Sequence, residues 1–169
     1  IYAYMKNPNL YSGLLTLLPD LQADLAYAVE GYTNTYGNIW RWDILPTNTE
    51  VEAVYGTLNA LIGKCNFLLE RIAVLEQEVD DEDYEKLQQF KGEALFARAL
   101  SYSDLIKMYC KAYDPATAAD ELGVVLVSSY SNAGTLKRAS LKDSYQFVLD
   151  DLAQSATCLK PDENENDES

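Results

Sequence analysis

Apolar positions recur at helical spacing through most of the chain. Between Asn9 and Gly31 they fall at Leu10, Leu14, Leu17, Leu18, Leu21, Leu25 and Val29, which predicts a helix interrupted near Pro19-Asp20. The stretch from Gly31 to Asn48 loses the periodicity. Its Gly31, Thr33-Asn34, Gly37-Asn38 and Pro46-Thr47-Asn48 predict a loop. A long helix follows, with a stripe of Val51, Val54, Tyr55, Leu58, Leu61, Ile62, Cys65, Leu68, Leu69, Ile72 and Leu75. Thr49 and Glu52 have capping-box spacing at its start.

Asp80-Asp81-Glu82-Asp83 places negative charge where the positive end of a second long helix would begin. That helix carries Tyr84, Leu87, Phe90, Ala94, Leu95, Arg98, Tyr102, Leu105, Ile106 and Tyr109. Two long helices joined by so short a turn are expected to pack antiparallel. Asp114 to Arg138 is irregular, with one β-branched run, Val124 to Val127, that suits a short extended piece. Ser140, with Asp143 three residues on, opens a last helix striped by Leu141, Tyr145, Val148, Leu149, Leu152, Ala156 and Leu159. Pro161 ends it, and the acidic run 162–169 reads as a linker or frayed end. The fold class predicted is all-α: tetratricopeptide-like antiparallel helix pairs with long irregular loops, over residues 1–161.

Composition narrows the chemistry. Of the 169 residues 48% are hydrophobic, so a real core is available, yet no apolar run approaches a membrane span. The start, Ile1-Tyr2-Ala3-Tyr4-Met5-Lys6, has neither an initiator Met nor a signal-peptide pattern, so the chain reads as beginning inside a longer protein. A net charge of −14 disfavours nucleic acid and anionic membrane surfaces, which are bound through Lys and Arg. With no histidine there is no His-based triad and no His-ligated metal. Cys65, Cys110 and Cys158 lack metal-ligand spacing and read as three small buried hydrophobes. The acids sit in runs at helix starts, in turns and in the tail, which suits a solvated face better than a hydrolytic carboxylate pair. The glycines are scattered and form no phosphate loop. Nothing calls for a cofactor or a metal, and the chain is expected to bind or scaffold, not catalyse.

Four segments in order carry a family resemblance. Gly92-Glu93-Ala94-Leu95-Phe96-Ala97-Arg98-Ala99-Leu100-Ser101-Tyr102, with Leu105 and Tyr109, is similar to a G-E-A-x-F-x-R-A-x-x-Y-x-x-L stretch. Gly123-Val124-Val125-Leu126-Val127 resembles G-V-P-L-V, with Val125 in place of proline. Arg138, Ser140, Tyr145, Asp150, Asp151 and Leu152 resemble an R-x-[ST]…Y…D-L helix. Upstream, Tyr55, Leu58, Asn59, Asn66, Leu69 and Ile72 fit a helix with recurrent Tyr and Asn. Together, over roughly Val51 to Leu159, they resemble the SusD-like (RagB/SusD) family of Bacteroidetes outer-membrane lipoproteins. Cys110, where Gly is common, is a second departure.

The resemblance implies a surface protein held at the outer membrane by a lipid anchor that this chain does not contain. It would lie over a TonB-dependent transporter and hand it oligosaccharide or polysaccharide, or peptides in some branches. The chain would be the amino-terminal part of such a protein.

Two sets of residues stand out. Arg98 lies on an apolar helix face with no acid one turn away, so its partner must come from another element, with Asp24, Asp150 and Asp151 as candidates. Arg98, with Glu93 of the same motif, is read as a structural clamp. Trp40, Arg41 and Trp42, with Tyr36 and Asn48 nearby, offer aromatic faces and hydrogen-bonding groups in a loop, the makings of a sugar platform. Their i, i+2 spacing allows one tryptophan to face inward and one outward. Alongside direct glycan capture stand a helical scaffold that contacts the transporter while ligand binds elsewhere, and an adaptor for peptide cargo.

Overall fold

The computed structural model describes residues 1–29, 36–130 and 136–159. These residues form two compact units, Ile1–Leu61 and Ile62 onward, with one long helix contributing its first half to one and its second half to the other. The run 162–169 lies outside the described residues, as do 31–35 of the expected loop.

In the first unit, helix α1 spans Tyr2–Met5, α2 Leu14–Gln22 and α3 Gly37–Trp40. Helix α4, Thr49–Leu75, begins here. The core gathers Leu10, Leu15, Leu18, Leu21, Ile39, Val54 and Leu58. The interruption predicted at Pro19-Asp20 does not occur. Pro19 sits inside α2, which runs on to Gln22 before Asp24 turns into the left-handed region at φ 57°. Only about one turn of α2 lies on either side of the proline, so the amide that Pro19 lacks costs this short helix a single backbone bond. Leu25 and Val29 are 78% and 71% exposed, so the stripe ends with α2.

The start of α4 differs from the expected capping box. Thr49 is already helical and its hydroxyl donates to Glu50, while the Glu52 amide that it would have accepted from bonds elsewhere. Asn48 stands at the boundary instead. Its carbonyl accepts from the Glu52 amide, and its side-chain oxygen accepts from the Leu45 amide at 2.6 Å.

In the second unit, α4 continues and is followed by α5, Asp81–Tyr109. Asp80 caps α5, accepting from the Asp83 amide at 3.0 Å, with Asp81, Glu82 and Asp83 in the first turn. The two helices run antiparallel: Asn66 meets Arg98, and Glu76 at the turn meets Gln88 and Lys91. Burial alone would push the Glu76 carboxyl up. The hydrogen bonds from Lys91 and Gln88 and the Lys91 charge outweigh it and hold Glu76 below the ordinary glutamate range.

Strand β1, Leu122–Val125, pairs antiparallel with β2, Arg138–Ser140, so the extended piece lies two residues upstream of the expected run. Ser140 caps α6, Leu141–Cys158, accepting from the Asp143 amide. Helix α6 lies antiparallel on α5, with Ser155 donating to the Gly92 carbonyl and Asp151 against Arg98. A β-carbon at Gly92 would stand 2.7 Å from Leu159 Cγ, so the glycine permits this approach. Gly123 permits another: a β-carbon there would run into Ser144 and Ser140.

The expected apolar stripe of α6 is only partly its buried face. Leu141 and Val148 are buried, but Ser144, Asp151 and Ser155 share that face, while Leu149 and Leu152 are exposed. On α5, burial starts at Gly92, leaving Tyr84 and Phe90 exposed. Cys65 alone of the cysteines is fully buried; Cys110 and Cys158 are half-buried thiols. Among the described residues no helix is long and apolar enough to cross a membrane.

Candidate functional site

The second unit is organised around one buried polar cluster. Arg98 is buried in the middle of α5, where a lone charge would cost several kcal/mol. Its Nε and Nη2 each donate at 2.7 Å to the two oxygens of Asp151, also buried, and its Nη1 donates at 2.7 Å to Asn66 Oδ1. The guanidinium also lies 5.3 Å from the Phe147 ring centre. This planar fork against a carboxylate is geometry that arginine alone provides.

Asn66 passes the connection on. Its amide donates to the Val127 carbonyl at 2.8 Å, and the Tyr102 hydroxyl accepts from the Val127 amide at 2.7 Å. The extended segment after β1 is thereby fastened to α4 and α5 together. Of the three acids offered to Arg98, Asp151 is the partner. Asp150 instead accepts from Gln146 on the outer face, and Asp24 is exposed in the first unit. Glu93 is not in the cluster. It is half-buried and accepts from Gln89, one turn back on its own helix. Beside the cluster, burial pushes the Cys65 thiol up to about 11 against the lowering pull of Arg98, so it is protonated at neutral pH and no nucleophile.

The first unit holds the aromatic set. Short helix α3 is anchored by buried Ile39, which leaves Trp40 half-buried and Trp42 65% exposed. Non-glycine residues with left-handed backbone bracket it: Tyr36 at φ 62° and Trp42 at φ 59°. Such conformations cost of order 1 kcal/mol or more for a bulky residue and persist only where the surroundings impose them. The Trp42 amide donates to the Ile39 carbonyl, and the Asp43 amide to Asn38, which fixes the turn. Arg41 is exposed and donates to Asn38 Oδ1 at 3.1 Å. Asn48, by contrast, has its side-chain oxygen committed to the turn before α4. Among the described residues no group of three His, Cys, Asp or Glu side chains is placed to hold a metal ion.

Residues 14–168 match the profile of a SusD-like family described as starch-binding and associating with the outer membrane. The chain belongs to the SusD-like family. Solved structures share its fold, two of them of SusD-superfamily proteins. One from Bacteroides thetaiotaomicron VPI-5482 superposes with a TM-score of 0.80 at 20% identity, over 94% of this chain and 35% of its own. One from Bacteroides vulgatus ATCC 8482 gives 0.75 at 21% identity, over 96% and 36%. Another from that organism, provisionally named a sugar-binding protein, gives 0.78 at 23% identity, over 94% and 35%. The chain thus spans about a third of the length of these solved structures. No curated protein matches it.

With the family established, the motif residues acquire positions. Arg98, Tyr102, Asp151 and Asn66, all of which carried the resemblance, converge on a single fastening. The Asn66 and Val127 ends of it were not anticipated, because a side chain gripping a distant loop backbone leaves no periodic trace. A second surface set was also missed: Phe67, Glu70, Arg71 and Tyr130. Its signal was a tyrosine inside a run of serines, Ser128-Ser129-Tyr130-Ser131, where an aromatic ring has no core to fill.

Proposed function

We propose that this SusD-like chain belongs to a non-catalytic glycan-capture protein at the outer membrane, which hands oligosaccharide to a TonB-dependent transporter. On this reading a lipid anchor holds the protein at the cell surface. Trp42 is the ring that meets sugar, with Arg41 and Tyr36 beside it and Trp40 as its half-buried support. The observation that carries the reading is Trp42 itself. A large ring stands two-thirds exposed on a backbone conformation that tryptophan disfavours, just past a short helix anchored by Ile39. Because the backbone under the ring is already fixed, stacking a sugar face on it costs less ordering than on a loose loop.

The test is affinity electrophoresis of the full-length protein through gels containing soluble starch, xylan, pectin or mucin. Wild type should be retarded by at least one of them, and Trp42→Ala should weaken that retention about tenfold. Trp42→Gly should weaken it equally while raising the melting temperature, because glycine relieves the left-handed strain. Unchanged retention in both variants would remove Trp42 from the site.

A second reading is a helical scaffold for the transporter or for peptide cargo, with ligand bound outside this chain. It is favoured by the commitment of Asn48 to its own turn and by the third of the solved relatives' length that the chain spans.

A further inference from the structure

The second unit carries an exposed aromatic pair on a rigid base. Phe67 on α4 is 44% exposed and Tyr130 is 60% exposed, with ring centres 5.1 Å apart at 67°. Neither ring completes the core. Both are nonetheless held. The Tyr130 amide donates to Glu70 Oε1 at 2.7 Å, across sixty residues of sequence. Arg71 lies 5.3 Å from the Phe67 ring centre. Three residues before Tyr130, the Val127 backbone is gripped by Tyr102 and Asn66. The ring is therefore presented from a backbone tied down at two points.

The surrounding charges define what the rings would accept. Glu70 and Arg71 are neighbours on the same exposed surface, and their opposite charges cancel. Glu70 Oε2 can accept, Arg71 can donate, and the Tyr130 hydroxyl can do both. A charged ligand would meet one of the two with the wrong sign. A neutral polyhydroxylated ligand satisfies donors and acceptors alike and offers C–H faces to the rings.

We propose that Phe67 and Tyr130, flanked by Glu70 and Arg71, form a second binding platform for a neutral oligosaccharide, in a different unit from Trp42. The proposal rests on the glycan-capture reading and adds to it a site of its own.

The deciding experiment uses the full-length protein and the same polysaccharide gels, with isothermal titration of an oligosaccharide cut from whichever polysaccharide retards wild type. Tyr130→Ala is compared with Tyr130→Phe, Phe67→Leu and Trp42→Ala, each checked by thermal melting. Tyr130 is the lead variant because its exposed ring can be removed without opening the core. The expected result is about tenfold weaker retention for Tyr130→Ala at unchanged melting temperature, most of it kept in Tyr130→Phe, and an independent loss for Trp42→Ala. Wild-type retention in Tyr130→Ala and Phe67→Leu, with loss in Trp42→Ala, would overturn the platform and leave glycan capture standing. No retardation of wild type by any polysaccharide would overturn both.

Discussion

At the scale of single residues, the decisive group is Arg98. Its hydrogen bonds to a carboxylate and an amide and its contact with an aromatic face are made inside the second unit. Removing the cation strands the Asp151 carboxylate in a buried site. Arg98→Met should therefore cost about 3–5 kcal/mol in urea unfolding, and Arg98→Met with Asp151→Leu should recover much of that loss. A variant that melts like wild type but loses glycan would instead make Arg98 a ligand contact. Val127 and Asn66 extend the same logic: a polar side chain here fixes a loop whose own sequence specifies no repeating structure.

At the scale of elements, the turn between α4 and α5 is set by charge as well as by capping. Glu76 is held below the ordinary glutamate range, so the folded state binds its proton less readily than the unfolded chain. Its contribution is present above the unfolded value of about 4.3 and fades as pH falls through the lower folded value. Wild type should thus exceed Glu76→Gln by on the order of 1 kcal/mol at pH 7, and the gap should close toward pH 3. Equal gaps at both pH values would mean that packing, not charge, holds the turn.

The long helices were legible because three-residue and four-residue spacing persisted over many turns and because Asp80 and Ser140 are strong caps. The buried face of α6 was misjudged because Asp151 and Ser155 belong to it, and polar residues hide from an apolar count until their partners are known. Helix α3 was read as loop, since one turn carries no period. The aromatic set was legible as residues. The exposure of Trp42 and the commitment of Asn48 to its own turn depended on local backbone geometry that spacing does not encode.

For the molecule as a whole, acidity dominates. With a net charge of −14 the folded chain repels itself more than the expanded one does. Screening shortens from roughly 10 Å at 0.1 M salt to about 3 Å at 1 M. The melting temperature should rise by a few degrees between low salt and 0.5 M sodium chloride. A fall would mean that surface ion pairs such as Lys86 with Glu82 outweigh the global repulsion. The same acidity suits a neutral ligand, since sugar approaches without an electrostatic barrier.

The grip of Tyr102 on Val127 has a consequence for the tempo of opening. The Val127 amide proton is held by a phenol from α5, not by a neighbouring strand, because β1 has already ended at Val125. Its exchange with deuterium therefore does not await the unzipping of a ladder. It awaits the withdrawal of one side chain, and so it clocks the loosening of the strap from the helix pair while the helices themselves stay wound.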